Sequence, residues 1–243
     1  MSASWKSAAK IAPLRLGADI KVQLRQVGGE RQPLLVVDNV LQDPDAMIDA
    51  ARAAEFYTPE HTHYPGLNAP LPEAYYRTVV TALRGPIEAA FGLPQAASLS
   101  YFGFFALATT GLADADPIQK IPHHDAPDPG RLAMVHYLCR GNFGGTGFFR
   151  HEATGFETVD ARRNAAYVAA AQAELDAGEP VAFPSGEMAH YAMIGEAEKV
   201  FNRLIVYRGH ALHAALLDPE PGSADPALGR LTANGFFAAA GAR

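Results

Sequence analysis

The pattern that most constrains the fold lies in the second half of the chain. There, short segments rich in aromatic and β-branched residues are separated from one another by residues typical of turns. Such segments are typical of strands in antiparallel sheets. Many strands with few helices favour a sandwich or barrel, with any helices packed outside it. We predict seven strands here, at residues 98–110, 131–139, 147–151, 188–194, 200–207, 211–217 and 229–237.

The remaining segments predict one further strand and three helices. The strand is expected at 34–40, and the first helix begins beyond it with Asp43 as N-cap and Pro44 at its first position. A loop at 58–72 is too rich in proline for regular structure. The other helices are expected at 73–91, with a break at Gly85-Pro86, and at 159–177, with an apolar face that includes Ala165, Val168 and Ala173.

The chain has 243 residues and no linker-like change in composition, which indicates one domain. Residues 98–243 would form the β core, and residues 1–97 would support it with a strand and helices. The fold class expected is therefore α+β, mainly β, with the N-terminal helices packed outside.

Composition and charge exclude several classes of protein. A net charge of −6 argues against a broad phosphate-binding surface, so we expect no nucleic-acid partner. The single cysteine, Cys139, excludes an internal disulfide framework and favours a reducing compartment. We find no signal-peptide pattern, and no apolar run approaches the roughly 18 residues that cross a bilayer. We therefore expect a cytoplasmic protein without a membrane partner.

The segment Ile121-Pro-His-His-Asp125 carries the strongest chemical signal. In extended chain, residues i and i+2 project from one face, so His123 and Asp125 could converge on one metal ion while His124 faces away. A third ligand must come from elsewhere, and His210 and His213 are both candidates. Two imidazoles and one carboxylate on one face of an octahedral ion form the site of non-haem Fe(II) oxygenases. His61 and His63 form a weaker pair, better explained as part of a solvated loop.

Four blocks occur in a recognisable order. They are His123-x-Asp125; Val135-His-Tyr-Leu138 followed by Gly144-Gly145; Asn202-Arg-Leu-Ile-Val-Tyr207 leading to His213; and Gly229-Arg-Leu-Thr232 with Phe236-Phe237. Together they resemble the Fe(II)/2-oxoglutarate-dependent dioxygenases, particularly the prolyl-hydroxylase-like branch and a bacterial group of uncharacterised relatives. Arg230 follows His213 by 17 residues, a longer interval than usual in that family. The turn-rich composition of 218–226 accounts for the excess.

This resemblance implies a double-stranded β-helix, a jelly-roll or cupin-like barrel of eight antiparallel strands. It implies Fe(II), 2-oxoglutarate and O2 as cofactor and cosubstrates, with succinate and CO2 released as an unidentified substrate is hydroxylated. His213 would join His123 and Asp125 as the metal ligands. Arg230 would bind the distal carboxylate of 2-oxoglutarate, with Tyr137 and Thr232 assisting, and Arg208 is the competing cation.

Two other classes of function share the predicted scaffold. A non-catalytic cupin-like barrel could bind a metal or ligand, although a pure binding module needs no cosubstrate clamp such as Arg230. A cupin-like metalloenzyme of other chemistry usually has a His-x-His pair with a glutamate, and the segment next to Asp125 has no such pair. The substrate does not follow from the scaffold, because one fold supports many chemistries.

Overall fold

Ten strands form the framework of the described part of the chain. The computed structural model describes residue 8 and residues 10–60, 64–93, 99–178, 182–186 and 188–239. In these ranges the strands are β1 (Lys21–Val27), β2 (Gln32–Asp38), β3 (Gly66–Pro70), β4 (Leu99–Ala108), β5 (Arg131–Tyr137), β6 (Thr146–His151), β7 (Tyr191–Ala197), β8 (Leu204–Arg208), β9 (His213–Ala215) and β10 (Arg230–Ala239). All seven segments predicted in the second half of the chain contain or overlap a strand.

The helices are fewer and lie between the strands. They are α1 (Asp45–Arg52), α2 (Glu73–Tyr75), α3 (Thr81–Phe91) and α4 (Asn164–Asp176), with a π-helical turn at Tyr76–Val80 and a 3-10 turn at Pro117–Lys120. Throughout the described ranges, no helix has the length and apolar character needed to span a membrane.

The strands form two antiparallel sheets. The larger has the order β1-β2-β8-β5-β10-β4-β3, and the smaller has the order β7-β6-β9. The predicted class, α+β and mainly β, is confirmed. The strands of the described ranges form no closed barrel. The N-terminal strands belong to the larger sheet, since β2 pairs with β8 and β3 pairs with β4.

Three apolar layers hold the sheets and helices together. One face of the larger sheet packs against α1 and α3, with Met47, Ile87 and Phe105 among the residues of this helix-side core. The opposite, inner face packs against the smaller sheet through residues such as Phe148 and Tyr207. The outer face of the smaller sheet is covered by α4. The helices therefore lie outside the two-sheet core, as the sequence predicts.

Two edge strands were not expected from the sequence. Most of β1 is exposed, so it has no apolar face to give the usual alternation. Strand β3 lies inside the segment predicted to be an irregular loop, and that prediction is wrong. Pro70 is compatible with β3 because an edge strand leaves one row of N–H groups outside the ladder.

The helix boundaries differ from the prediction at two places. Helix α3 continues through Pro86 instead of breaking there, because Leu83 and Ile87, on either side of the proline, are both anchored in the helix-side core. Helix α1 begins at Asp45, with Pro44 as its N-cap residue and no capping side chain, so the N-cap role of Asp43 is not observed.

Helix α4 uses a different face from the predicted one. Its buried residues are Tyr167 and Ala171, whereas Val168 is 50% exposed. A helix rich in alanine has little apolar contrast between its faces, so one large side chain decides which face packs. Here the ring of Tyr167 takes that role.

A buried polar network on the helix side contains His136, which faces away from Tyr137. The Tyr75 hydroxyl donates to His136 Nδ1 over 3.1 Å, and His136 Nε2 donates to Asn202 Oδ1 over 3.1 Å. The Asn202 side chain also forms two hydrogen bonds with the backbone of Leu41: its oxygen accepts from the N–H, and its nitrogen donates to the carbonyl. Asn202 is thus a structural residue.

This network predicts that acid destabilises the protein. Burial lowers the pKa of His136 to about 4, whereas an unfolded histidine titrates near 6.5. Between these values the unfolded chain binds a proton that the folded one does not, so stability falls as the pH falls from about 6.5 to about 4. The loss from this group is at most about 3 kcal/mol. Urea unfolding across this range should show it, and His136→Gln should flatten the pH dependence; an unchanged slope in the variant would contradict the assignment.

Candidate metal centre

Backbone pairing brings the two candidate ligand segments together. His123 and His213 exchange N–H···O hydrogen bonds of 2.9 Å in both directions, and Asp125 N–H donates to the carbonyl of Gly209 over 2.7 Å. His123 and His213 are therefore directly opposite each other on antiparallel segments, with side chains on one face. Because Asp125 is two residues beyond His123, it shares that face.

The three side chains meet in a compact cluster. The nitrogen and oxygen atoms available as ligands from His123, Asp125 and His213 all lie within 4.8 Å of one another. His213 Nε2 lies 3.7 Å from Asp125 Oδ2, and His123 Nε2 lies 3.9 Å from Asp125 Oδ1. Gly209 permits this approach, since a Cβ there would lie 3.2 Å from Asp125 Oδ2.

His213 has the tautomer that a metal ligand needs. Its Nδ1 lies 2.9 Å from the carbonyl oxygen of Ala211, which can only accept, so Nδ1 carries the proton. Nε2 is then left with its lone pair directed at the cluster. Burial lowers the pKa of His213 to about 4, which keeps the ring neutral near pH 7. This outer hydrogen bond is the kind that orients metal-binding imidazoles.

Asp125 is the least satisfied group in the cluster. Its Oδ2 is buried and accepts no hydrogen bond from the residues that the structure describes. Burial raises the pKa of the Asp125 carboxyl to about 6, although His123 lowers it in part. A buried carboxylate oxygen without a donor is costly unless a cation binds it. The donor set, with one carboxylate and two imidazoles, fits a divalent transition metal.

A second set of contacts supports the ligand segment from behind. The Tyr167 hydroxyl donates to the carbonyl of Pro122 over 2.9 Å, next to His123 in the chain. The His124 ring packs edge-on against Tyr167, away from the cluster as predicted. Sequence reasoning missed Tyr167, because the predicted apolar face of its helix was a different one. Tyr207, whose ring lies 4.7 Å from that of His213, was quoted only as part of a strand block.

The other candidate histidines lie outside the cluster. His210 is buried before β9, and its Nδ1 has no hydrogen-bond partner among the described residues. From its sequence His151 is a surface or rim residue and not a ligand; it lies outside the cluster, but its side chain is fully buried, so the surface position is wrong. Its two nitrogens form hydrogen bonds with Thr154 and Glu174. His61 and His63 lie outside the described residues.

The residues predicted to bind the cosubstrate lie on the inner face of the larger sheet. Arg230 is 5% exposed, and its guanidinium donates to the carbonyls of Gly144 and Gly145. Its charged carbon lies 5.9 Å from the centre of the Tyr137 ring. No carboxylate of the described residues forms an ion pair with it. Thr232 pairs with Tyr137 across the strands β10 and β5.

The hydroxyls near Arg230 already have protein partners. The Tyr137 hydroxyl lies 2.7 Å from Thr146 Oγ1 and donates to the carbonyl of Ala197. Thr232 Oγ1 donates to the carbonyl of Ala106 over 3.4 Å. The competing cation, Arg208, donates instead to the carbonyls of Pro129 and Phe91, the latter at the end of α3.

The fold and the cluster together define a mainly β protein with a two-histidine, one-carboxylate group beside the edge strand of its smaller sheet. The sequence profile of DUF6445, a family of unknown function, matches residues 18–237. The protein belongs to this family, since the match covers most of the chain. Among curated proteins, no sequence is similar to this one.

The choice between His213 and His210 predicts a clear difference in metal affinity. His213→Ala should weaken Fe(II) or Mn(II) binding by more than about 100-fold, because loss of a direct ligand exceeds the 10–100-fold effect of outer-shell changes. His210→Ala is the matched control and should bind the metal nearly as well as the wild type. Anaerobic metal titration separates the two. Loss of the metal in His210→Ala with retention in His213→Ala would overturn the assignment.

Proposed function

We propose that the protein is an Fe(II)- and 2-oxoglutarate-dependent oxygenase that hydroxylates an unidentified substrate. The balanced reaction converts R–H, O2 and 2-oxoglutarate into R–OH, succinate and CO2. The observation that carries the proposal is the convergence of His123, Asp125 and His213 around a buried carboxylate oxygen that accepts no hydrogen bond from the described residues. Iron at this site would supply the activation of O2 that couples decarboxylation to hydroxylation.

Arg230 supports 2-oxoglutarate as the cosubstrate. Within the described ranges its buried guanidinium donates to neutral carbonyls and has no carboxylate as counter-charge, which favours the binding of an anion. Its planar fork suits a carboxylate. We infer that Arg230 binds the distal carboxylate, with Thr232 beside it on β10 and the Tyr137 ring packed against the guanidinium.

The arrangement of the sheets supports the same proposal. Two antiparallel sheets packed face to face, with helices outside, are compatible with a double-stranded β-helix. The inner layer contains Phe148 and Tyr207, whose rings pack at 5.2 Å, and Tyr207 also contacts His213. These rings would exclude water from one side of the metal centre and hold His213 in position.

The other ligands have distinct tasks in this proposal. Asp125 supplies the only negative charge of the cluster and would neutralise part of the metal charge. His213 presents Nε2 while its Nδ1 proton stays on the Ala211 carbonyl. His123 is more accessible, with a side chain 57% exposed, so the substrate would approach from its side of the cluster.

Thermal unfolding tests the proposal without knowledge of the substrate. With Mn(II) as an inert substitute for Fe(II), 2-oxoglutarate at 100 times its Kd should raise the free energy of unfolding by about 2.7 kcal/mol. Without metal the effect should be much smaller, because one end of the dianion loses its anchor. An equal midpoint with and without 2-oxoglutarate in the metal-loaded protein would contradict the proposal. Stabilisation without succinate formation under any condition with Fe(II) and O2 would instead favour the non-catalytic binding module.

A further inference from the structure

The inner face of the larger sheet carries asparagines that no part of the cosubstrate site uses. Along β10, Leu231 and Ala233 belong to the helix-side core, so Asn234 faces inward together with Thr232. On β3, Ala69 belongs to the helix-side core, so Asn68 also faces inward. Asn68 and Thr232 both pair with Ala106 of β4, and therefore lie in one row across the sheet.

Both asparagines have an unused hydrogen-bonding group. Asn68 is 6% exposed, and its Oδ1 is buried without a partner among the described residues. Asn234 Oδ1 is in the same state. An unsatisfied buried polar group costs about 1–3 kcal/mol. Asn202, which is similarly buried, shows that this fold can provide partners for both the oxygen and the nitrogen of such an amide.

The chemistry of the two oxygens limits what can bind them. An amide oxygen only accepts, so the ligand must present an N–H or O–H group. The 2-oxoglutarate dianion has no such donor. A cationic donor is disfavoured, because the guanidinium of Arg230 belongs to the same inward row of β10.

We propose that Asn68 and Asn234 bind neutral amide or hydroxyl groups of the primary substrate. Their role as a substrate site rests on the proposed function. Asn68 and Asn234 lie on strands either side of β4, and Asn234 is offset by two residues along the strands, because its partner on β4 is Phe104 and not Ala106. The spacing of strands and residues in a sheet places their Cα atoms about 12 Å apart. Phe104 is paired with Asn234, and its ring lies 6.2 Å from that of Phe236. The substrate therefore combines a neutral donor with an apolar part.

The first test needs neither metal nor substrate. Asn68→Leu should raise the unfolding midpoint of the ligand-free protein by about 2–6 °C, since it removes an unsatisfied polar group. Thr146→Val is the matched control and should lower the midpoint, because Thr146 is also buried but forms a hydrogen bond with the Tyr137 hydroxyl. A fall in the midpoint for Asn68→Leu would show a structural role and overturn the inference.

The second test uses N-methylacetamide as the probe, on protein loaded with Mn(II) and 2-oxoglutarate. We expect saturation transfer from the protein to this amide, at least about fivefold weaker in Asn68→Leu, and none to N,N-dimethylacetamide, which lacks the N–H. Equal signals from both amides, or from both proteins, would overturn the inference. A loss of 2-oxoglutarate affinity in Asn68→Leu would show that the Asn68 side chain binds the cosubstrate, and it would also overturn the inference. Failure of the wild type to bind 2-oxoglutarate would instead count against the proposed function. The unfolding test of Asn68→Leu does not depend on 2-oxoglutarate binding.

Discussion

Asp125→Ala is expected to abolish metal binding and every activity that depends on the metal. The residue supplies the only carboxylate of the cluster, and its Oδ2 accepts no hydrogen bond from the described part of the chain. Two imidazoles alone hold a divalent ion weakly, so the loss should exceed that for either histidine. Fe(II) or Mn(II) titration measures it. Asp114→Ala removes an exposed carboxylate on the preceding loop and should leave the metal affinity unchanged.

The conservative variant Asp125→Asn separates a ligand from a structural carboxylate. Burial raises the pKa of Asp125 to about 6, so the folded protein holds its charge at a cost. Removing that charge should raise the stability of the metal-free protein at pH 7 by at most about 3 kcal/mol. We therefore expect Asp125→Asn to be more stable and unable to bind metal. A variant that is less stable and still binds metal would contradict the account.

Arg230→Met is expected to weaken 2-oxoglutarate binding by about 2–5 kcal/mol, or about 30-fold to several thousand-fold. The variant removes the buried guanidinium that no described carboxylate pairs with, so the distal end of the dianion loses its partner. Metal affinity should change little, since Arg230 is not among the clustered ligands. Calorimetric titration of the Mn(II)-loaded variant with 2-oxoglutarate gives the change.

Two control variants make the Arg230 prediction specific. Arg208→Met removes a cation that bonds the carbonyls of Pro129 and Phe91, and it should bind 2-oxoglutarate as the wild type does. Arg230→Lys keeps the positive charge but loses the planar pair of N–H donors, and we expect its affinity for 2-oxoglutarate to be intermediate. An unchanged dissociation constant in Arg230→Met, with the loss appearing in Arg208→Met, would transfer the role to Arg208.

The clustering of the candidate metal ligands depends on local geometry and on one long-range pairing, and the sequence predicts the first of these directly. The alternation of His123 and Asp125 needs only an extended backbone. The choice of His213 over His210 needed the family resemblance. The structure brings His213 into the cluster by pairing it with His123, which spacing alone does not predict.

The parts of the fold that escaped prediction are those where tertiary contacts override local pattern. Strand β3 exists because β4 offers it a partner, although its own sequence is rich in turn formers. Helix α3 continues through Pro86 because its apolar residues are anchored on both sides. The inward asparagines, Asn68 and Asn234, have no signature in the sequence, since an asparagine in a strand looks the same whether or not its amide is satisfied.

The central claim is that His123, Asp125 and His213 bind a metal ion that in turn binds 2-oxoglutarate. Calorimetric titration of the wild-type protein with 2-oxoglutarate, with and without Mn(II), tests it most directly. We predict saturable binding of one molecule per chain in the presence of Mn(II), and a much weaker interaction in its absence. No saturable binding of 2-oxoglutarate by a protein shown to hold Mn(II) would contradict the account.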